Sequence, residues 1–227
     1  TWRKRRDFGT GTLGDMGCHM FSGWFRAMDF AAPIGVKHVG QGASEANWAI
    51  NAQVEYTFKS TQYTDGETVR VTWYDGDSKP PAEVLAAVDY GLMSGEVPAN
   101  PSEELKKGQK ISQGTIYIGT EGAMFAPHGS RPILYPRAKY AQHPYPQLEP
   151  RNHYKDFIDC CLGGKQKPSA NFDYAAPLTE AVLLGCLASV VPGEALTWDS
   201  PGLRIPNNEN ANALVKRKYR DGWEPKV

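Results

Sequence analysis

Residues 49–58 read A-I-N-A-Q-V-E-Y-T-F, and Ile50, Ala52, Val54, Tyr56 and Phe58 recur at every second position. A strand turns successive side chains to opposite faces, so this period predicts a strand with one buried face. Val69 to Tyr74 repeats the pattern, with Val69, Val71 and Trp73 on one side, and Asp75-Gly76-Asp77 follows as a turn. Alternation on one side only predicts an antiparallel sheet with one packed face and one face free for water or a partner.

Outward from this stretch, the β pattern runs from Ile34 to about Pro136. Thr115 to Ile118, Ala123 to Phe125 and Ile133 to Tyr135 are short strands, with Glu121-Gly122 as a hairpin turn. Gly91 to Gly114, rich in Gly, Pro, Ser and Lys, is expected to be a long surface insertion. Towards the N-terminus, Asp15 to Phe30 is expected to be a helix, with Met16, Met20, Trp24 and Met28 as its apolar stripe. Asp15 then sits near the helix start, where a carboxylate suits the free N–H groups and the dipole. Towards the C-terminus, Asn152 to Leu162 is expected to be a helix with an apolar face of Tyr154, Phe157, Ile158 and Cys161, stopped by Gly163-Gly164. A buried helix begins around Asp173-Tyr174-Ala175-Ala176-Pro177 and ends at Pro192-Gly193. Two strand-like pieces, Ala195 to Trp198 and Leu203 to Ile205, precede a basic terminal helix from Asn210 to Tyr219. Helix, sheet and helices in blocks predict an α+β fold: an open, mostly antiparallel sheet with helices on one face, in a single domain over 1–227.

Lys and Arg total 25, as do Asp and Glu, for a net charge of zero. That balance argues against a general nucleic-acid binder, which carries a basic excess. The longest apolar run, Leu178 to Val191, contains Thr179, Glu180 and Ser189, and a membrane span needs about 20 apolar residues. A buried helix, and no membrane association, is expected. Four cysteines are too few for a disulfide scaffold and are compatible with the cytoplasm. The chain opens Thr1-Trp2-Arg3-Lys4-Arg5-Arg6, with neither an initiator methionine nor an apolar signal core. It is therefore expected to be a fragment or a processed product.

Gly9, Gly11 and Gly14 have dinucleotide-binding spacing, G-x-G-x-x-G. That motif works between a buried strand and a crossover helix, whereas Arg3 to Asp7 is no buried strand and no βαβ unit follows. These glycines are expected instead to let a backbone approach a ligand or another domain. Asp15 and His19, at i and i+4, share one helix face. They can form an acid/base unit for alcohol chemistry or grip a polyol; alternatively Asp15 caps the helix and His19 is structural. Spacing alone favours the second reading. Cys18-His19, Cys160-Cys161 and the five histidines lack metal-ligand spacing, so no metal site is expected. Lys216 to Arg220 reads as a solvated face; Arg3 to Arg6 reads likewise, or meets an anionic group such as a cofactor phosphate.

The opening W-R, then G-T-G-T-L-G-D-M-G-C-H, resembles the segment that follows the Rossmann domain in Gfo/Idh/MocA oxidoreductases. H-Y-K-D-F-I-D-C-C, S-A-N-F-D-Y-A-A-P-L-T-E-A-V-L-L-G and L-T-W-D resemble a bacterial branch of that family, so the likeness spans about Trp2 to Trp223. The resemblance implies a C-terminal substrate-binding and oligomerisation domain of an NAD(P)-dependent oxidoreductase. It implies that Asp15 and His19 contact a sugar or cyclitol and assist proton transfer, and that Trp2 and Arg3 lie near the cofactor. It also implies a homo-oligomer through the open sheet face; relatives of this branch are often exported, so the expected compartment is either the cytoplasm or the periplasm of a bacterium. The family's Rossmann half, with its glycine fingerprint and E-K-P lysine, lies outside this sequence, so the chain alone is expected not to turn over. Ser22 stands where the family often has an aspartate. A carbohydrate-binding or scaffolding module without catalysis, and a glycoside-cleaving relative that uses nicotinamide transiently, are the alternative expectations.

Overall fold

A computed structural model describes residues 2–88, 113–164 and 166–224. The fold is α+β with open antiparallel sheets, and among the described residues the strands divide between two of them. The chain forms two compact units, Thr1–Ser78 with Phe172–Val227, and Lys79–Asn171.

The first unit holds α1 (Gly11–Ala27), β1 (Gly35–Val39), β2 (Gln53–Lys59) and β3 (Thr68–Tyr74). Two later pieces, the long helix Phe172–Ala188 and β7 (Ala195–Thr197), complete it, with a short helix at Glu209–Asn212. Its sheet runs β3-β2-β1-β7. Register puts Val54 opposite Trp73, and Tyr56 between Val36 and Val71, which carries the expected inward row across neighbouring strands. Val36, Val54, Tyr56 and Phe58 are buried, whereas Gln53, Glu55 and Thr57 between them are half-exposed. Gly76 takes a positive φ of 61° in the turn after β3, as a tight reversal requires.

α1 begins at Gly11, not at Asp15, and Thr10 at its N-cap makes no side-chain cap. Asp15 lies beyond the first turn and is not a cap. The buried residues of α1 are Gly11, Leu13, Gly17, Phe21, Trp24 and Phe25, so of the expected methionine stripe only Trp24 belongs to the core face. Aromatic rings displace methionines there because they bury more surface and pack edge to face. Phe21 meets Tyr56 with ring centroids 5.6 Å apart at 86°, and Trp24 meets Phe58 at 5.5 Å and 78°. Gly17 lets α1 close on the long helix: a Cβ there would lie 3.0 Å from Val182 Cγ2. At Gly185, on that helix, a Cβ would lie within 2.6 Å of Leu13 Cδ2. Gly17 and Gly185 thus let the two helices approach closely, whereas Gly9, Gly11 and Gly14 face Arg3, Trp48 and Thr10, not a ligand or another domain.

The second unit contains α2 (Ala82–Ala86), β4 (Gly114–Ile118), β5 (Ala123–Pro127), β6 (Ile133–Tyr135) and α3 (His153–Cys161). Its sheet runs β4-β5-β6, and Gly119 N–H donates to Gly122 O at 2.8 Å in the expected hairpin. Val88, Ala123, Phe125 and Tyr135 form its core, with Ile116 and Ile133 packed against them. Asn152 caps α3, its side chain accepting from Lys155 N–H, and Gly163 ends the helix at φ 87°. The expected apolar face of α3 is exposed; Tyr154, Phe157 and Ile158 are all more than half open to solvent.

The long helix, α4 (Phe172–Ala188), is buried at Leu178, Ala181, Val182, Leu184, Gly185, Cys186 and Ala188. It ends at Ala188, before the expected Pro192-Gly193. The terminal helix, α5 (Glu209–Asn212), has four residues and does not continue to Tyr219. Residues 216–220 carry a run of like charges, all exposed, so no buried face offsets the cost of ordering a helix. Leu203 to Ile205 is a turn instead of a strand: Asp199 bridges to Arg204, with Leu203 at φ 45°. The expected insertion falls almost wholly on 89–112, outside the described residues.

Candidate functional site

The described chain opens in a 3-10 turn, Trp2–Lys4, which is tied to the loop before β2. Arg5 bridges to Asn47, Arg6 N–H donates to Ala46 O at 3.0 Å and Trp48 N–H to Lys4 O at 2.9 Å. The Trp48 indole N–H closes the arrangement on Gly9 O at 2.6 Å, and Arg6 lies over the Trp48 ring. A Cβ at Gly9 would lie 2.3 Å from Arg3 O, so glycine is required where the segment doubles back. This folding brings Arg3 onto α1, where its Nε lies 3.0 Å from Asp15 Oδ2. The Arg3 guanidinium also sits 4.9 Å from the centre of the Trp2 ring.

Three of the four residues singled out from sequence, Trp2, Arg3 and Asp15, therefore meet in space. His19 follows one helical turn beyond Asp15 and is exposed, on the face that the i, i+4 spacing predicts. Cys18 is exposed as well, its thiol directed at Asp15 O. The arrangement offers a guanidinium, a carboxylate, an imidazole and an indole on one open surface. The G-x-G-x-x-G spacing forms no dinucleotide turn. A 3-10 turn precedes it in place of a strand, and Gly11 and Gly14 lie within α1.

Ser22 has a structural partner. The Tyr174 hydroxyl reaches both Ser22 O and Ser22 Oγ at 2.9 Å, and Arg26 stacks 3.9 Å over the Tyr174 ring. The position is thus spent on joining α1 to α4. L-T-E-A and L-T-W-D also meet, because the Trp198 indole N–H donates to Glu180 Oε1.

A buried polar cluster lies under the start of α1, and local sequence patterns do not bring its residues together. His38, on β1, is fully buried and shares a pocket with Thr10, Gly11, Asp75, Cys186 and Ser189. Its signal is a polar residue at an inward strand position, two after buried Val36. The Cys186 thiol donates to Thr10 O at 3.2 Å, and burial pushes it up to about 12. Burial, then the neighbouring Cys186, raises the Tyr56 phenol well above its ordinary value. Such a thiol is held neutral and is a poor nucleophile. Among the described residues, no three His, Cys, Asp or Glu side chains gather to hold a metal ion, and no helix is long and apolar enough to cross a membrane.

No family model matches the chain, and a comparison with curated proteins likewise returns no match.

Proposed function

We propose that this chain is the substrate-binding and oligomerisation domain of an NAD(P)-dependent oxidoreductase acting on a carbohydrate or related polyol. The observation that carries this reading is the ion pair between Arg3 and Asp15, one helical turn from His19. It places residues of two separate motifs on one exposed surface. His19 takes the hydroxyl proton as an alcohol carbon is oxidised, or returns it in the reverse direction. Asp15 orients the imidazole or binds a second hydroxyl. Trp2, 59% exposed, and half-exposed Arg3 present an aromatic face and a cation suited to a planar, phosphate-bearing cofactor. When bound, NAD or NADP supplies the hydride acceptor or donor. The glycine segment is built into α1 and offers no phosphate cradle, so a Rossmann domain N-terminal to this one holds most of the dinucleotide. The half-exposed polar row Gln53, Glu55 and Thr57 is the sheet face that joins copies in a homo-oligomer.

The test is a screen of the full-length protein against sugars and polyols, read by nicotinamide absorbance, with His19→Ala alongside. Sugar-dependent turnover is expected, lowered by about 100-fold or more in the variant at an unchanged unfolding midpoint. An unchanged rate removes His19 from the mechanism. Saturable sugar binding without turnover points to the binding-module alternative, and release of a free sugar with no net absorbance change to the glycoside-cleaving one.

A further inference from the structure

We propose that the small pocket beneath the first turn of α1 binds one internal water molecule, held between the His38 imidazole and the amides that open the helix. The pocket, lined in part by Thr10, Gly11, His38, Asp75 and Cys186, has a volume of about 10 Å³, the space one water centre requires. His38 Nε2 lies 3.0 Å from Gln41 O. A carbonyl only accepts, so Nε2 carries the hydrogen and Nδ1 presents a lone pair. That Nδ1 is buried and has no partner among the described residues. Across the pocket, Thr10 provides no side-chain cap and the first turn of α1 contains no acid. The leading amides of a helix have no acceptor within it.

An unpaired acceptor and a helix start without a side-chain cap therefore border one small space, and a water molecule matches both. It accepts from an amide of the first turn and donates to His38 Nδ1. Its second hydrogen faces Asp75, whose carboxylate already accepts from Ala52 N–H at 2.8 Å and the Trp73 indole at 2.9 Å. An anion would suit the amides but would face the Nδ1 lone pair and the Asp75 carboxylate. A cation would face the positive end of the helix dipole. A neutral ligand that both donates and accepts is left, and the volume limits it to water. The inference stands independently of the oxidoreductase reading.

A crystal structure of the full chain, with a parallel bromide soak, tests it. The expected result is a solvent peak within hydrogen-bond distance of both His38 Nδ1 and a first-turn amide of α1, with no anomalous signal in the pocket. Bromide in the pocket overturns the proposal, as does the Tyr56 hydroxyl turned to donate directly to His38 Nδ1. Nitrogen NMR of the imidazole is an independent reading: His38 should be protonated at Nε2 with Nδ1 accepting, and a hydrogen on Nδ1 overturns the proposal.

Discussion

Arg3 Nε lies 3.0 Å from Asp15 Oδ2, with 51% of the Arg3 side chain and 45% of the Asp15 side chain exposed. At that exposure the pair adds little to stability, because both ions keep about half of their contact with water. A double-mutant cycle with Arg3→Ala and Asp15→Ala should give a coupling below about 1 kcal/mol in urea unfolding. A larger value would assign the pair a structural role.

Gly185→Ala should destabilise the first unit by about 1–3 kcal/mol, although alanine favours a helix. The new methyl would lie 1.8 Å from Tyr56 Oη, which packing on both sides holds in place. Tyr56→Phe should be neutral or slightly stabilising, since that hydroxyl is buried with no partner among the described residues. The double variant should recover part of the loss. Urea midpoints of all three decide the matter.

Removing the acceptor from Trp198 should be costly. Glu180→Ala leaves a buried indole N–H unpaired, at about 1–3 kcal/mol, whereas Glu180→Gln keeps an acceptor and should lose less. Equal midpoints for the two variants would show that the hydrogen bond contributes nothing.

Alkaline pH should unfold the protein partly through Cys186. Its thiol rises from 9.0 to about 12 on folding, so between those values the unfolded chain releases a proton that the native state retains. Stability is full below pH 9 and falls as pH climbs towards 12, by at most about 1.4 kcal/mol per pH unit for one group. Cys186→Ala should flatten that fall. A thiol reagent on the native protein should modify Cys18 and Cys161, which are exposed, and reach buried Cys186 only on unfolding.

The strands were legible because alternation depends on local geometry alone: the period of Val54, Tyr56 and Phe58 survives in β2, burial for burial. The hairpin at Glu121-Gly122 and the cap at Asn152 were legible for the same reason, each being settled within a few residues. The start of α1 was not. Glycine disfavours a helix by about 1 kcal/mol per residue, so Gly11 and Gly14 read as a loop until Trp48 is seen packed against Gly11 and Val182 against Gly17. The terminal helix failed in the opposite direction, its propensity finding no face to bury.

For the candidate site, the sequence alone put Asp15 and His19 on one helix face, since a spacing of four is a property of any helix. It could not place Arg3 against Asp15, because that contact depends on Trp48 and Asn47 drawing residues 2–9 back over α1. Nor could it show that Ser22 serves Tyr174, 152 residues away, or that His38 shares a pocket with Cys186. Periodicity and turn chemistry act over one or two turns of chain and are written in order along it. Which distant side chains share a pocket depends on how two helices settle on one sheet face, and only the tertiary structure decides that.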